Sequence, residues 1–318
     1  MLKFVGLIQN ENMKIISRIG TWVMAGLLML AVIGFAVVSH FNQPAETPGE
    51  DWKENLAQVN QENREILKSP EVAGFYRSQL EKEIAINQHR LDENIPPADQ
   101  TVWGFVIDAI ELTSLITLFT IIVAATSVAG EFSWGTIKLL LIRAVSRSKV
   151  LLSKYAATFL YALALLILLF VTSFAAGGIL FGLGEVSTPH LAYENGQVVE
   201  RNMLLHILGL FGFASVKLLM MVTFAFMIST VFRSSSLAIG LSIFLMFAGT
   251  QATYILSQLG HDWVKYILFA NTELSVYFDG NPLVSGMTLG FSLTILAIHF
   301  ILFQAVSWIS FLKRDITA

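Results

Sequence analysis

The sequence predicts an all-α integral membrane protein with six transmembrane helices, and three observations carry that prediction. Of 318 residues, 55% are hydrophobic and only 14% charged, where a soluble domain carries about a quarter charged residues. Six stretches are mainly apolar over the roughly 17–25 residues that a span requires: 20–40, 103–129, 155–182, 204–232, 236–256 and 286–311. The connecting segments alternate in charge. With the N-terminus inside, the inner ones hold Lys3, Lys14, Arg18, Lys138, Arg143, Arg147, Lys149, Lys154, Arg233, Lys313 and Arg314, eleven cations against only Glu11, Glu131 and Asp315. The segment 41–102 holds twelve acids and six cations. Lysine and arginine collect on the cytoplasmic side, so the pattern predicts a multi-pass chain of the plasma membrane with both termini cytoplasmic.

Residues 1–19 set Phe4, Leu7, Ile8, Ile15 and Ile16 among Lys3, Lys14 and Arg18. That amphipathic pattern predicts an N-terminal interfacial helix whose cations meet anionic membrane lipids. The first span, 20–40, reads as a retained anchor, because its apolar core exceeds a signal-peptide h-region and "VVSHFNQP" is a poor cleavage site. In 41–102, Trp52, Leu56, Val59, Ile66 and Leu67 recur at helical spacing, and Val72, Tyr76, Leu80, Ile84 and Leu91 repeat the pattern. Ser69-Pro70 suits the start of a second helix and Pro96-Pro97 its end. A helical extracellular hairpin between spans one and two is expected.

Spans two and three, 103–129 and 155–182, enclose the inner segment 130–154. An outer loop, 183–203, leads to span four, 204–232; an inner turn, 233–235, joins it to span five, 236–256. The outer segment 257–285 is too polar to cross and too apolar to float free. Its Trp263, Tyr266, Phe269, Tyr277 and Phe278 suit the interfacial belt, which predicts short helices at, or re-entering, the outer face. Span six, 286–311, leaves a cytoplasmic tail, 312–318.

Several classes of chemistry are excluded or unsupported. Without cysteine the chain has no disulfide, thiolate metal site or cysteine nucleophile. A net charge of −3 gives no footing for nucleic acid. No H-E-x-x-H or G-x-S-x-G motif occurs and the six histidines are scattered, so no catalytic, metal or cofactor-binding residue is assigned.

Charges within spans are costly and face the bundle interior or a pathway. Lys217 lies well inside span four, and Asp108 and Glu111 share a face near the outer part of span two. Glu111 and Lys217 are expected to pair, either for stability or as the lining of a pathway. His299, in mid-span six, reads as a hydrogen-bonded packing residue or as a proton relay.

The stretch "EFSWGTIKLLLIRAVSRSKVLLSK" holds five basic residues and one acid. From Gly130 to Arg143, Phe132, Ser133, Ile137, Leu140 and Leu141 can share a helical face, with Lys138 and Arg143 elsewhere around the turn. An ordinary basic inner loop would satisfy the charge rule. The apolar face is larger than orientation requires, and a short helix between two long spans would make a rigid lever.

These residues resemble a motif of the ABC-2 (type-2) exporter permeases, in which an acid and a Gly-Thr pair precede a short helix, then a Ser-Arg pair and a lysine opening the next span. The matching residues are Glu131, Gly135-Thr136, Lys138, Leu139-Leu140, Ser146-Arg147 and Lys154; Val145 stands where the family usually has proline. Six spans and inner termini also resemble that family. The resemblance implies a cytoplasmic coupling helix between spans two and three that docks on a separate ABC ATP-binding subunit, two copies per complex. Glu131, Phe132, Gly135, Thr136, Lys138, Arg143, Ser146 and Arg147 would take part, and a second permease copy or related permease would complete the pathway. It implies export of an amphipathic or lipidic compound such as an antimicrobial peptide or drug. ATP and Mg would belong to the partner, for the chain has no G-x-x-x-x-G-K-[ST] phosphate loop, and the chain itself would not be an enzyme. Alternatives of other classes are a sensor or scaffold using the outer hairpin, and an ion-gradient carrier or sodium-efflux subunit with Lys217, Glu111 and His299 as relay.

Overall fold

Local capping chemistry sets where the long apolar helices begin. Asn202, Ser234 and Thr288 each accept the backbone N–H three residues on, from Leu205, Leu237 and Phe291, at 3.1, 3.4 and 3.2 Å. A computed structural model describes residues 2–42, 51–69, 74–97, 101–136, 145–183, 189–194, 196–232, 234–278 and 282–313. Their helices are α1 (Leu2–Ile16), α2 (Ile19–Asn42), α3 (Asp51–Leu67), α4 (Gly74–Glu93), α5 (Val102–Asp108), α6 (Thr113–Ser133), α7 (Arg147–Leu180), α8 (Met203–Val231), α9 (Ser235–Gln258) and α10 (Leu289–Leu312). Six stretches are long and apolar enough to cross a membrane: α2, the α5–α6 run Val102–Ser133, α7, α8, α9 and α10.

The α5–α6 run is the centre of the bundle. In its most apolar stretch 61% of residues are buried, against 11% for α9. Helix α6 packs on α7, α8 and α9; α8 carries α10, and α7 carries α1 and α2. Ile116, Ile121, Leu151, Leu169, Leu218 and Phe226 belong to the shared core. Outward, Trp22, Leu30, Ile167, Phe244 and Ile301 are each more than 60% exposed. Helices apolar on every side suit hydrocarbon rather than water.

Three features depart from the sequence expectation. The second span is not one helix: a 3-10 turn, Ala109–Leu112, separates α5 from α6. Three-residue spacing in such a turn eclipses Asp108 and Glu111 on one exposed side, a break that an apolar count does not register. The third helix starts at Arg147 rather than 155, so Arg147, Lys149 and Lys154 are already helical. The loop 183–203, expected only as an outer connection, holds a small β element in an otherwise helical set of described residues. It carries an antiparallel hairpin, β1 (His190–Glu194) with β2 (Gln197–Arg201), in the register His190↔Arg201 to Glu194↔Gln197. The hairpin packs on α4, where His89 Nε2 lies 3.1 Å from Glu200 Oε1, and it covers His206, whose ring stacks on His190 at 3.6 Å. His206 is therefore buried.

Helices α3 and α4 pack as an antiparallel pair, but along a different face from the one the apolar residues suggest. Val59, Ile66 and Tyr76 are exposed, while Asn60, Asn63 and Asn87 are buried. The seam follows Leu56, Asn60, Asn63 and Leu67 against Leu80, Ile84, Asn87 and Leu91, the alternating four-three spacing of a coiled coil. Asn60 Nδ2 donates to the Ile84 carbonyl at 3.5 Å, but Asn63 Nδ2 has no hydrogen-bond partner among the described residues. Buried Asn at such positions fixes register at a cost in stability. Asn63→Leu is therefore expected to stabilise the hairpin by about 1 kcal/mol, read as slower amide exchange in α3 and α4; faster exchange would count against this seam.

The described residues of segment 257–285 include three 3-10 turns, Asp262–Tyr266, Leu268–Ala270 and Leu274–Tyr277, folded over one end of the bundle against α8, α9 and α10.

Candidate functional site

At the other end, where α1 lies across the start of α7, four charged side chains close into a ring. Lys154 Nζ bonds Glu11 Oε2 and Glu131 Oε1, each at 2.8 Å. Lys14 Nζ bonds the same two carboxylates, Glu11 Oε1 at 2.8 Å and Glu131 Oε1 at 3.1 Å. Three elements meet there: Glu11 and Lys14 from α1, Glu131 from the end of α6, Lys154 from the second turn of α7. The Lys154 side chain is only 2% exposed and the two carboxylates 11% and 13%. Buried charges are tolerated only when paired and hydrogen-bonded, and alternating signs around the ring meet that demand. Burial pushes the Lys14 ammonium down. The hydrogen bonds and charges of Glu11 and Glu131 outweigh it, so its pKa lies above the ordinary lysine value.

The residues after Glu131 fit it to this ring. Helix α6 ends at Ser133, the Trp134 N–H returns to the Gly130 carbonyl at 2.9 Å and the Gly135 N–H to Phe132 at 3.1 Å. Gly135 holds φ +70, the left-handed conformation that closes many helix C-termini and that only glycine adopts without strain. The reversal brings the Thr136 hydroxyl back onto Glu131, where it donates to Oε2. Acid, Gly-Thr pair and distant lysine thus form one structural unit.

This geometry corrects the expectation of a helix running from Gly130 to Arg143. Phe132 and Ser133 belong to α6, with Phe132 packed on the core, and the chain turns at Trp134–Thr136. Lys138 and Arg143 lie outside the described residues. Ser146 is the N-cap of α7 but makes no side-chain cap bond, and Arg147 Nη1 donates to the Leu312 carbonyl at the end of α10 at 3.3 Å. Further ties bind this end. Arg18 stacks over the Trp134 ring at 5.1 Å. Ser229 Oγ accepts from the Val128 and Ala129 amides at 3.2 and 3.0 Å and donates to Ala125 at 2.7 Å. Ser133 Oγ accepts from the Ser235 amide at 3.1 Å.

Glu11 escaped the sequence reading as a site residue. The available signal was its rarity, for it is one of three acids among eleven cations in the inner segments, and two of those three enter the ring.

The intramembrane residues fall elsewhere. Lys217 pairs with Glu273, beside the short turns, and not with Glu111. Glu273 is supplied by a connection whose folding over α8 a linear count of helix rise does not capture. Asp108 and Glu111 sit at the exposed break between α5 and α6. His299 Nδ1 lies 2.9 Å from the Ile295 carbonyl of its own helix, its ring edge-on to Phe303 at 5.8 Å. Among the described residues no group of three or more His, Asp or Glu side chains could hold a metal ion.

Known proteins place the chain in a family. A Bacillus subtilis (strain 168) protein described as "Uncharacterized protein YhcI" is 47% identical over 317 residues, covering 98% of this chain and 99% of that protein. A second from the same organism, "Uncharacterized membrane protein YdbK", is 32% identical over 219 residues, covering 69% of this chain and 85% of that protein. Residues 84–317 match the family described as "Protein of unknown function (DUF2705)". With six helices of spanning length and these relatives, the chain is a multi-pass membrane protein of the DUF2705 family.

Proposed function

We propose that this protein is the membrane-spanning permease subunit of an ATP-driven exporter in the cell membrane, moved by a separate ATP-binding subunit. One observation carries the reading. The Glu11–Lys14–Glu131–Lys154 ring ties α6, α7 and α1 together at the base of segment 137–144. A force applied to that segment would reach both flanking spans and the N-terminal helix together, as a lever requires. Glu131, Gly135, Thr136 and Lys154, through which the chain resembles ABC-2 permeases, are the residues that build this base. On this reading both termini and the ring are cytoplasmic, α1 lies in the inner interface, and the α3–α4 hairpin is extracellular. Segment 137–144 docks on the ATPase, ATP and Mg are bound and hydrolysed there, and a second permease completes the pathway for an amphipathic or lipidic cargo. A carrier with Lys217, Glu111 and His299 as relay has less support, since Lys217 bonds Glu273 and His299 bonds its own helix.

The test is to purify the tagged full chain from its own membranes and ask whether an ATPase with a phosphate loop accompanies it. Lys138→Glu with Arg143→Glu should remove that ATPase and its nucleotide hydrolysis while the chain melts as the wild type does. An ATPase retained by this variant, or none in the wild-type preparation, would refute the docking.

A further inference from the structure

A cavity of about 700 Å³ opens between α6, α8 and α9 beneath the short turns, within the roughly 300–1,000 Å³ of small-molecule sites. Its lining is layered. Towards the turns, α6 contributes Ser114, α8 contributes Lys217 and α9 contributes Gln251; one helical turn deeper the same helices contribute Leu118, Met221 and Phe247. Phe269 adds a ring from the turns. The cavity is thus polar at one end and apolar at the other, the profile of an amphiphile with its head towards the turns.

The sign of the head follows from the ion pair at the polar end. Lys217 Nζ bonds Glu273, yet the two side chains are unequally placed, Lys217 24% exposed and Glu273 52%. Glu273 also accepts from Ser275 Oγ at 2.9 Å, so on release it returns to water with a partner in hand. Lys217, beside an apolar wall, has no comparable refuge, and an unpaired charge there is costly. A cationic head would have to draw Glu273 away and strand Lys217. An anionic head replaces Glu273 on Lys217 and exchanges one ion pair for another, while its tail gains the apolar end.

We propose that this cavity binds an amphiphile with an anionic head, a phosphate or carboxylate, which displaces Glu273 from Lys217 while its tail lies against Met221, Phe247 and Phe269. Glu273 holds the empty site neutral, and binding frees the turn that carries it. Export is not required for this site: binding belongs to the chain alone, so it stands or falls separately from docking of an ATPase.

Binding is measured on the purified full chain in a maltoside detergent with hexadecyl phosphate, palmitate and hexadecyltrimethylammonium as probes sharing one tail length. Saturable binding of the two anions, with little of the cation, is expected. Lys217→Met should weaken hexadecyl phosphate about tenfold or more, whereas Glu273→Gln, which removes the competing carboxylate, should tighten it several-fold. Should Lys217→Met fold poorly, Glu273→Gln still decides, because a merely structural ion pair predicts no gain in affinity from losing it. Competition by phosphatidylglycerol in preference to palmitate assigns the ligand to the membrane; the reverse assigns it to a free amphiphile. Equal binding of the cation, non-saturable binding of the anions, or weaker binding by Glu273→Gln would each overturn the site.

Discussion

Lys154→Met is expected to cost about 3–5 kcal/mol of stability. The ammonium it removes is almost fully buried and serves two carboxylates at once. Methionine keeps all but the terminal atom of the side chain's length, so the loss is mainly one of charge rather than packing. Glu11 and Glu131 would then share only Lys14, whose side chain is 37% exposed. The check is thermal melting of the full chain in detergent, where the variant should unfold at clearly lower temperature or fail to accumulate. A triple, Glu11→Gln with Glu131→Gln and Lys154→Met, should recover much of the loss, since the one charge it leaves unpaired, Lys14, has a side chain 37% exposed and can reach water. That non-additivity marks a network, as opposed to four independent ion pairs. A Lys154→Met chain that melts with the wild type would mean that solvent or lipid head groups already screen the ring, and the lever proposed for this end would lose its base.

The spans were legible because hydrocarbon demands long apolar runs, and no tertiary detail is needed to count them. The ring was half legible. Glu131, Gly135 and Thr136 stand together in the motif and were singled out there, but a helical face was drawn straight through them, and the helix end at the left-handed Gly135 emerges only with the backbone conformation. Lys154 and Glu11 come from other helices, and only packing decides that they meet. The β-hairpin carried a local signal, Asn195-Gly196 between Tyr193 and Val198-Val199, outweighed by the helical character of everything around it. The α3–α4 seam was misread because hydrophobic periodicity points to apolar faces, and three asparagines occupy the buried one. The partner of Lys217 lies 56 positions along the chain, in a connection with no regular period. Rise per residue locates a charge along its own helix but cannot locate a folded-back loop.

Gly249→Ala is the second substitution with a large expected effect, and it acts on the cavity rather than the ring. A Cβ at this position of α9 would overlap Phe269 Cε2 and lie 2.6 Å from Cδ2, far inside contact distance. Phe269 sits edge-on to Phe224 at 6.1 Å on another side, and the space it also borders is the cavity. The ring is therefore expected to swing into that space, at an overpacking cost of about 1–3 kcal/mol. Two readings should move together: a lower melting temperature, and binding of hexadecyl phosphate weakened about tenfold, because the apolar end that receives the tail is now filled. Gly249→Ala combined with Phe269→Ala removes the clash and reopens the volume, so it should restore binding even where stability is not regained. Binding that Gly249→Ala leaves intact would show that the ring yields in another direction, and that the tail lies elsewhere than against Phe269.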